Sequence, residues 1–150
     1  MAGMSPSFSR RLRAAAAAVA VIVGTAAASP AGAEASDAFG VWRNPKNSVH
    51  VEIRDCGAAA CGYVVWASAK AQADARKGGT ENLVGLQLLR DFVEAKNGEL
   101  RGRVFVPDLN ITISGSALRL DDNTLRARGC LVRNVVCKSQ TWTRVDGARS

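Results

Sequence analysis

The chain has 150 residues, of which 47% are hydrophobic and 22% are charged, and its formal net charge is +7. This length suits one domain, and the apolar content together with only 14 Gly and 4 Pro excludes a collagenous or a disordered chain. No motif identifies an activity, so the sequence mainly predicts export, disulfide bonds and fold class.

The N-terminal segment has the layout of a secretory signal peptide. A basic stretch that ends at Arg13 precedes the uncharged apolar run 14–28, and small residues follow up to Ala33. The run is shorter than the roughly 20 residues that span a bilayer, so no integral membrane segment is expected after cleavage. We expect cleavage after Ala33, or two residues later, and a single domain over 34–150 in the periplasm or outside the cell.

The leader also bears on the export route and on the charge of the mature domain. The pair Arg10-Arg11 hints at twin-arginine export, but the residues after the pair depart from that signal, and the general secretory (Sec) route is favoured. Cleavage removes three arginines and no acid, which leaves a mildly basic domain. Export and this modest charge argue against a nucleic-acid partner.

All four cysteines follow the leader, at Cys56, Cys61, Cys130 and Cys137. An even number of cysteines in a small exported domain indicates two disulfides. Of three possible pairings we favour Cys56–Cys61 and Cys130–Cys137, because each pair brackets a short, turn-like stretch. The spacings of four and six intervening residues are wide for a zinc-ligand pair and for a redox-active pair, so no metal site is expected.

The mature chain reads as a series of short strands. Val49, Val51 and Ile53 alternate with polar residues, which is the period of a half-buried strand. Similar patterns predict the strands 39–43, 62–66, 100–106, 110–120, 124–131 and 137–145. In 110–120 the apolar residues fall on odd positions at first (Ile111, Ile113) and on even positions later (Leu118, Leu120). A bulge at Gly115 is expected to bring both pairs to the same face of the strand.

Two segments are ambiguous. The Ala-rich stretch 68–77 fits either a short helix or a mobile surface loop. The stretch 81–93 fits a helical stripe or a strand, and a strand is favoured because its neighbours are strands. The count of about eight strands with short connections predicts an all-β fold, a small antiparallel meander closed into a barrel. In so short a chain we expect a narrow, mostly filled interior.

Several segments carry a resemblance to a known family. In chain order they are Gly-Val-Trp at 40–42, Cys-Gly-Tyr-Val-Val-Trp at 61–66, the hairpin arm 102–107, and Cys-Lys-Ser-Gln-Thr-Trp-Thr-Arg at 137–144. Over nearly the whole mature chain they resemble the exported bacterial family called domain of unknown function 2147. That family is similar in fold to the lipocalin-like (calycin) barrels, and the resemblance implies no established activity.

The resemblance also implies a barrel-closing pair. Calycin barrels commonly pack an Arg of the last strand over a Trp of the first, and Trp42 and Arg144 match those positions. An Arg over an indole face stabilises a fold by roughly 0.5–2 kcal/mol. The chain departs from the family pattern after Pro107, where many members have Asp and then Gly. Here Asp108 and Asn110 are expected to build a different turn.

Candidates for chemistry are few. His50, the only histidine, falls on the polar side of its strand and is expected to be a solvated surface residue. Asp121-Asp122 is typical of a turn rather than of a catalytic pair. No catalytic residue and no cofactor are therefore predicted. A basic outer face is expected from the arginines at positions 101, 103, 126 and 128.

Four large aromatic residues are candidates for lining a ligand pocket, although core packing would also explain them: Tyr63, Trp66, Phe105 and Trp142. The sequence thus favours an exported, non-enzymatic β-barrel that binds a small apolar or amphipathic molecule in the cell envelope. The alternative is a protein-interaction or structural module of the envelope that uses the basic outer face.

Overall fold

The computed structural model describes residues 36–95, 97–132 and 135–145, so the predicted leader and its cleavage site lie outside the described residues. These described residues form eight strands, and a nine-residue helix lies between the third and fourth strands. They are β1(Gly40–Arg43), β2(Val49–Asp55), β3(Ala60–Ala67), α1(Ala69–Lys77), β4(Gln87–Glu94), β5(Leu100–Val106), β6(Ile111–Asp121), β7(Thr124–Leu131) and β8(Val136–Arg144).

Each strand pairs antiparallel with the next, and β8 pairs with β1, so the sheet closes into a barrel in strict chain order. The predicted all-β meander is confirmed. In such a meander the turns alternate between the two ends of the barrel. We call the end that carries the β1–β2, β3–β4, β5–β6 and β7–β8 connections the mouth end, and the opposite end the floor end.

Apolar residues at every second position of the strands point inward and form the core. At the floor end Trp42, Ile53, Phe92, Leu100 and Leu125 are all buried in one cluster. A second cluster lies under α1 and joins Ala75 of the helix to residues of β2, β3 and the chain around β4. Its buried members are Val51, Val64, Ala67, Ala75, Leu83 and Leu88.

The helix α1 resolves one ambiguity of the sequence. Ser68 caps it by accepting a hydrogen bond from the Ala71 N–H at 3.2 Å, and Gly78 ends it. The N–H of Ser68 binds the carbonyl of Ser48 in the β1–β2 turn, and the Thr80 hydroxyl donates to the Pro107 carbonyl. The helix therefore runs across the mouth end from the β1–β2 turn to the β5–β6 turn.

The strand expected over 81–93 is only partly present. It begins at Gln87, and the preceding residues form turns in which Gly85 adopts a φ of 89°. Leu83 is buried in the cluster under α1 instead of lying in a strand. The helical spacing of the leucines was misleading, because Leu83 packs against the neighbouring helix while Leu89 belongs to the sheet.

The bulge predicted at Gly115 is absent. Gly115 pairs regularly with Gly102 and Gly129, and the irregularity in β6 lies between Arg119 and Asp121. The three glycines lie side by side across β5, β6 and β7. A Cβ at Gly102 would come within 2.5 Å of Phe92 Cδ2, so the Phe92 ring occupies the space that a larger residue would need.

Both disulfides fall at hairpins. Cys56 is bonded to Cys61 beside the β2–β3 turn, and Cys130 is bonded to Cys137 across the β7–β8 pair. This is the pairing favoured from the spacing. Each bond closes a short ring, so each reduces the freedom of the unfolded chain locally.

The Trp42–Arg144 pair closes the floor end. The Trp42 side chain is fully buried, and its Nε1 donates to the Ala38 carbonyl at 2.8 Å. The Arg144 guanidinium lies 4.2 Å from the centre of the indole ring. It donates to the carbonyls of Phe39 (2.6 Å), Asp37 (3.0 Å) and Asp122 (2.6 Å). One side chain thus connects the first strand, the segment before it and the β6–β7 turn.

The substitution Arg144→Ala should lower the free energy of unfolding by about 2–4 kcal/mol, because it removes the cation–π contact and charge-assisted hydrogen bonds together. Urea denaturation followed by tryptophan fluorescence measures the change. Arg126→Ala, an exposed arginine of β7, is the control and should change the value by less than about 0.5 kcal/mol. Equal effects of the two substitutions would contradict the closing role of Arg144.

Candidate functional site

A cavity of about 690 Å³ lies in the barrel and reaches the mouth end. Most of its lining is aliphatic or aromatic, and it includes Val51, Leu89, Val104, Phe105, Ile113 and Trp142. The expectation of a mostly filled interior was therefore wrong. The inner positions of β6 and β7 are small (Gly115, Ala117, Ala127, Gly129), so these strands contribute little volume to the interior.

The cavity runs from the core at the floor end to the turns at the mouth end. Trp42, Phe92 and Leu125 line its deep part, since they also belong to the buried floor cluster. The β5–β6 turn, with Pro107, Asp108 and Leu109, lines its outer part, as do Leu131, Val136 and residues next to the β1–β2 turn. The interior space is thus continuous with the surface at one end.

The wall contributed by β8 changes in character along its length. Val136, Lys138, Gln140 and Trp142 have the same parity, and all four line the cavity. The Trp142 Nε1 donates to Gln140 Oε1 at 3.3 Å. An ammonium group and an amide thus lie beside the apolar space. This arrangement suits a molecule with an apolar body and a polar group, because a few polar side chains in an apolar pocket orient a ligand.

Of the four predicted aromatic residues, the structure brings two to the cavity. Phe105 and Trp142 line it, whereas Tyr63 and Trp66 lie on the outside of β3. The Arg54 guanidinium covers the Tyr63 ring at 4.1 Å, and the Trp66 ring lies 4.6 Å from that of His50.

A bulge explains the position of Trp66. Val64 pairs with Val51, and Trp66 pairs with His50, so two steps along β3 match one step along β2. Trp66 shares the parity of the buried Val64, yet the extra residue, Val65, turns it to the face of His50. In β8, which is regular, the parity of Trp142 would have identified Lys138 and Gln140 as cavity residues.

His50 lies outside the cavity. Its Nε2 is 2.7 Å from Asn47 Oδ1 in the β1–β2 turn. Partial burial, and then the charge of Arg43, lower the pKa of His50. The residue is half-buried rather than fully solvated, because the Trp66 ring lies beside it. These contacts place His50 in the packing of the outer surface.

The predicted turns use polar residues for backbone contacts. Asp121 Oδ1 accepts from the Asn123 N–H at 2.8 Å, and this bond lowers the pKa of Asp121. In the β5–β6 turn Asn110 takes a φ of 53°, a left-handed conformation that Asn adopts more readily than most residues. Neither turn brings two carboxylates together for acid–base chemistry.

The outer face of β5, β6 and β7 carries the predicted arginines. Arg101, Ser116 and Arg128 form one cross-strand row beside a polar hollow of about 300 Å³. Arg101 is neutralised by Glu99 at 2.8 Å, and Arg103 pairs with Asp91. Within the described part of the chain, Arg126 and Arg128 form no ion pair, although Arg128 shares the polar hollow with Glu99.

Glu99 lies in the polar hollow. Its pKa is lowered first by a hydrogen bond from Ser116, and then by Arg101 and the charge of Arg128, against an opposing effect of burial. The folded state therefore favours the ionised carboxylate. The resulting stabilisation is present above the ordinary pKa of 4.5 and is lost as the pH falls through the lowered value.

Glu99→Gln should therefore lower the free energy of unfolding at pH 7, and the gap to the unaltered protein should close in acid. Urea denaturation of both proteins at pH 7 and at about pH 3.5 measures the gap, since the carboxyl group is increasingly protonated at the lower pH. A gap of the same size at both values would show that the ionised form of Glu99 contributes nothing.

Two further observations concern metal binding and membrane-spanning helices. Across 36–95, 97–132 and 135–145, no group of three His, Cys, Asp or Glu residues is placed to hold a metal ion. In the same residues no helix is both long and apolar enough to cross a membrane.

Comparison with known proteins identifies one family. The model of a family described as "Uncharacterized protein conserved in bacteria (DUF2147)" matches residues 40–144, which span β1 to β8. No curated protein and no solved structure gives a match.

Proposed function

Because the chain belongs to this bacterial family, whose description assigns no activity, we propose a function from the barrel itself: it binds a small apolar or amphipathic molecule in the cell envelope. The cavity of about 690 Å³, open at the mouth end, carries this proposal. Its volume lies within the range of roughly 300–1,000 Å³ that is usual for small-molecule sites.

The inner residues support a binding role. Larger side chains at Ala117 and Ala127 would fill space and add packing contacts, which ordinarily stabilise a barrel of this size. Small residues at these inner positions instead leave space between Ile113 and Trp142. A ligand with an apolar body would recover contacts that the protein itself does not make.

The polar side chains favour an amphipathic ligand over a pure hydrocarbon. Lys138 and Gln140 line the same cavity as Phe105 and Trp142. An anionic or hydrogen-bonding head group beside the Lys138 ammonium would leave the attached chain in contact with the aromatic residues. We propose binding rather than catalysis because the lining is dominated by aliphatic and aromatic groups, and because His50 packs on the outer surface.

An envelope location agrees with the cross-links. Disulfides persist in oxidising compartments such as the periplasm and are rare in the cytosol. The pairs Cys56–Cys61 and Cys130–Cys137 are compatible with an exported protein. The expected leader, with cleavage near Ala33, completes the proposal.

Ala127→Trp should weaken binding of the apolar fluorophore 1-N-phenylnaphthylamine about tenfold, equivalent to roughly 1.4 kcal/mol, because the indole occupies the cavity. A fluorescence titration measures the change. Thr141→Trp, which adds the same side chain to an exposed position of β8, is the matched control and should bind as the unaltered protein does. Equal affinity in all three proteins would reject the cavity as the binding site.

A second candidate function uses the outer face, where Arg126 and Arg128 are exposed next to the polar hollow. This arrangement favours an anionic component of the envelope as a partner. Reversal of both charges in R126E/R128E should abolish recovery of that partner in a pull-down from envelope extract. The double variant R43E/R54E, which reverses two exposed charges on the outside of β1 and β2, should retain the partner, and a loss in both variants would indicate non-specific charge attraction.

A further inference from the structure

Exposed aliphatic side chains surround part of the cavity opening. In the β7–β8 connection Val132 is 77% exposed and Val135 is 78% exposed, and Val136 at the start of β8 is 60% exposed. Single exposed apolar residues are ordinary, but a group beside the opening of an apolar cavity indicates an interaction surface. We call this group the apolar rim; its members are Leu109, Ile111, Leu131, Val132, Val135 and Val136.

The rim is one surface. Leu109, Ile111, Leu131 and Val136 all line the same cavity. Since β6 pairs with β7, the start of β6 lies beside the end of β7, and the two connections are neighbours. The rim therefore joins the barrel interior to solvent, with Asp108 of the β5–β6 turn beside it.

Val132 is held in the rim at a conformational cost. Its φ is 36°, in the left-handed region that β-branched residues rarely adopt. Gly or Asn would occupy this backbone conformation more easily. An exposed, β-branched apolar residue in such a turn is unfavourable for the isolated protein, and it becomes useful where the side chain contacts an apolar partner.

Positive charges flank the rim at the mouth end. Lys46 lies in the β1–β2 turn, Lys70, Arg76 and Lys77 lie on α1, and Lys138 lies on β8. Among the described residues three acids lie at this end, namely Asp74, which pairs with Lys70 and Lys77, and Glu81 and Asp108, so the five basic residues keep an excess of positive charge. We call the five basic residues the cationic collar.

The floor end is less positive. Its strand ends and turns carry the carboxylates of Asp37, Asp55, Glu94, Glu99, Asp121 and Asp122, and four arginines lie among them: Arg54, Arg101, Arg119 and Arg144. The described mouth end is thus the more positive of the two, and it also carries the apolar rim.

From this arrangement we propose that the mouth end docks on an anionic lipid bilayer. The rim side chains enter the boundary between head groups and acyl chains, and the collar contacts the anionic head groups, which is how amphipathic protein surfaces bind membranes. This proposal goes beyond ligand binding, because docking requires only the rim and the collar. It also places the cavity opening against the lipid.

Charge decides between a bilayer and a second copy of the chain. A symmetric contact between two rims would bring two cationic collars together, and their repulsion would oppose the apolar contact. An anionic bilayer satisfies the apolar and the charged parts of the surface at the same time. Binding to vesicles of zwitterionic lipid should therefore be weaker than binding to anionic vesicles.

The test is sedimentation with sucrose-loaded vesicles, either of pure phosphatidylcholine or of phosphatidylethanolamine with phosphatidylglycerol. The protein is expressed with its own N-terminal segment, and mass spectrometry records the N-terminus present in every preparation. We expect at least tenfold tighter binding to the anionic vesicles and weakening by salt. V132D/V135D should reduce this binding at least tenfold, and K46E/R76E should reduce it on anionic vesicles only.

Leu120→Asp is the matched control, because Leu120 is an exposed apolar residue (49%) next to the β6–β7 turn of the floor end. It should bind vesicles as the unaltered protein does. If V132D/V135D binds equally well, or if Leu120→Asp loses as much binding, the proposal is overturned. A rim-dependent dimer in analytical ultracentrifugation without vesicle binding would also overturn it, in favour of a second copy.

Titration of V132D/V135D with 1-N-phenylnaphthylamine separates docking from the proposed function. Retained affinity for the fluorophore with lost vesicle binding assigns the rim to docking alone. Retained vesicle binding by Ala127→Trp, with weakened fluorophore binding, assigns the cavity to the ligand alone.

Discussion

The structure depends on the seam between the first and the last strand. β1 has only four residues, and two of them pair with β8, so the backbone ladder at this seam is short. Arg144 compensates for the short ladder, because its guanidinium stacks on Trp42 and binds three carbonyls, two in the segment before β1 and one in the β6–β7 turn. Without closure the sheet would have two unpaired edges and the interior would have no wall between β8 and β1.

Closure and small inner residues together produce the cavity. Eight strands give an interior that side chains can just fill when the inward positions are large. At the floor end they are large, and Trp42 and Phe92 fill the barrel together with their neighbours. Toward the mouth end Gly129 and Ala127 leave the space open, and the same strand order that seals one end therefore leaves an apolar chamber at the other.

The elements that depend on local spacing could be predicted from the sequence. Hairpin disulfides followed from the short separation of Cys56 from Cys61 and of Cys130 from Cys137, and the strands followed from period-two alternation. The features that could not be predicted depend on which face of a strand a residue occupies and on how much of the interior the inner side chains fill. The extra residue at Val65 moves Trp66 to the outside, and no local pattern signals it. The cavity depends on the total volume of the inner residues of all strands. The alternation within a single strand gives no information about that total.

The disulfide Cys130–Cys137 bridges the neck of the hairpin whose tip carries Val132 and Val135. Because the bridge joins the two arms directly below these residues, reduction would remove this covalent tether, while all eight strand pairings, including β7–β8 and the β1–β8 seam, remain to hold the barrel closed. The bridge therefore limits how far the two arms beside the exposed valines can separate.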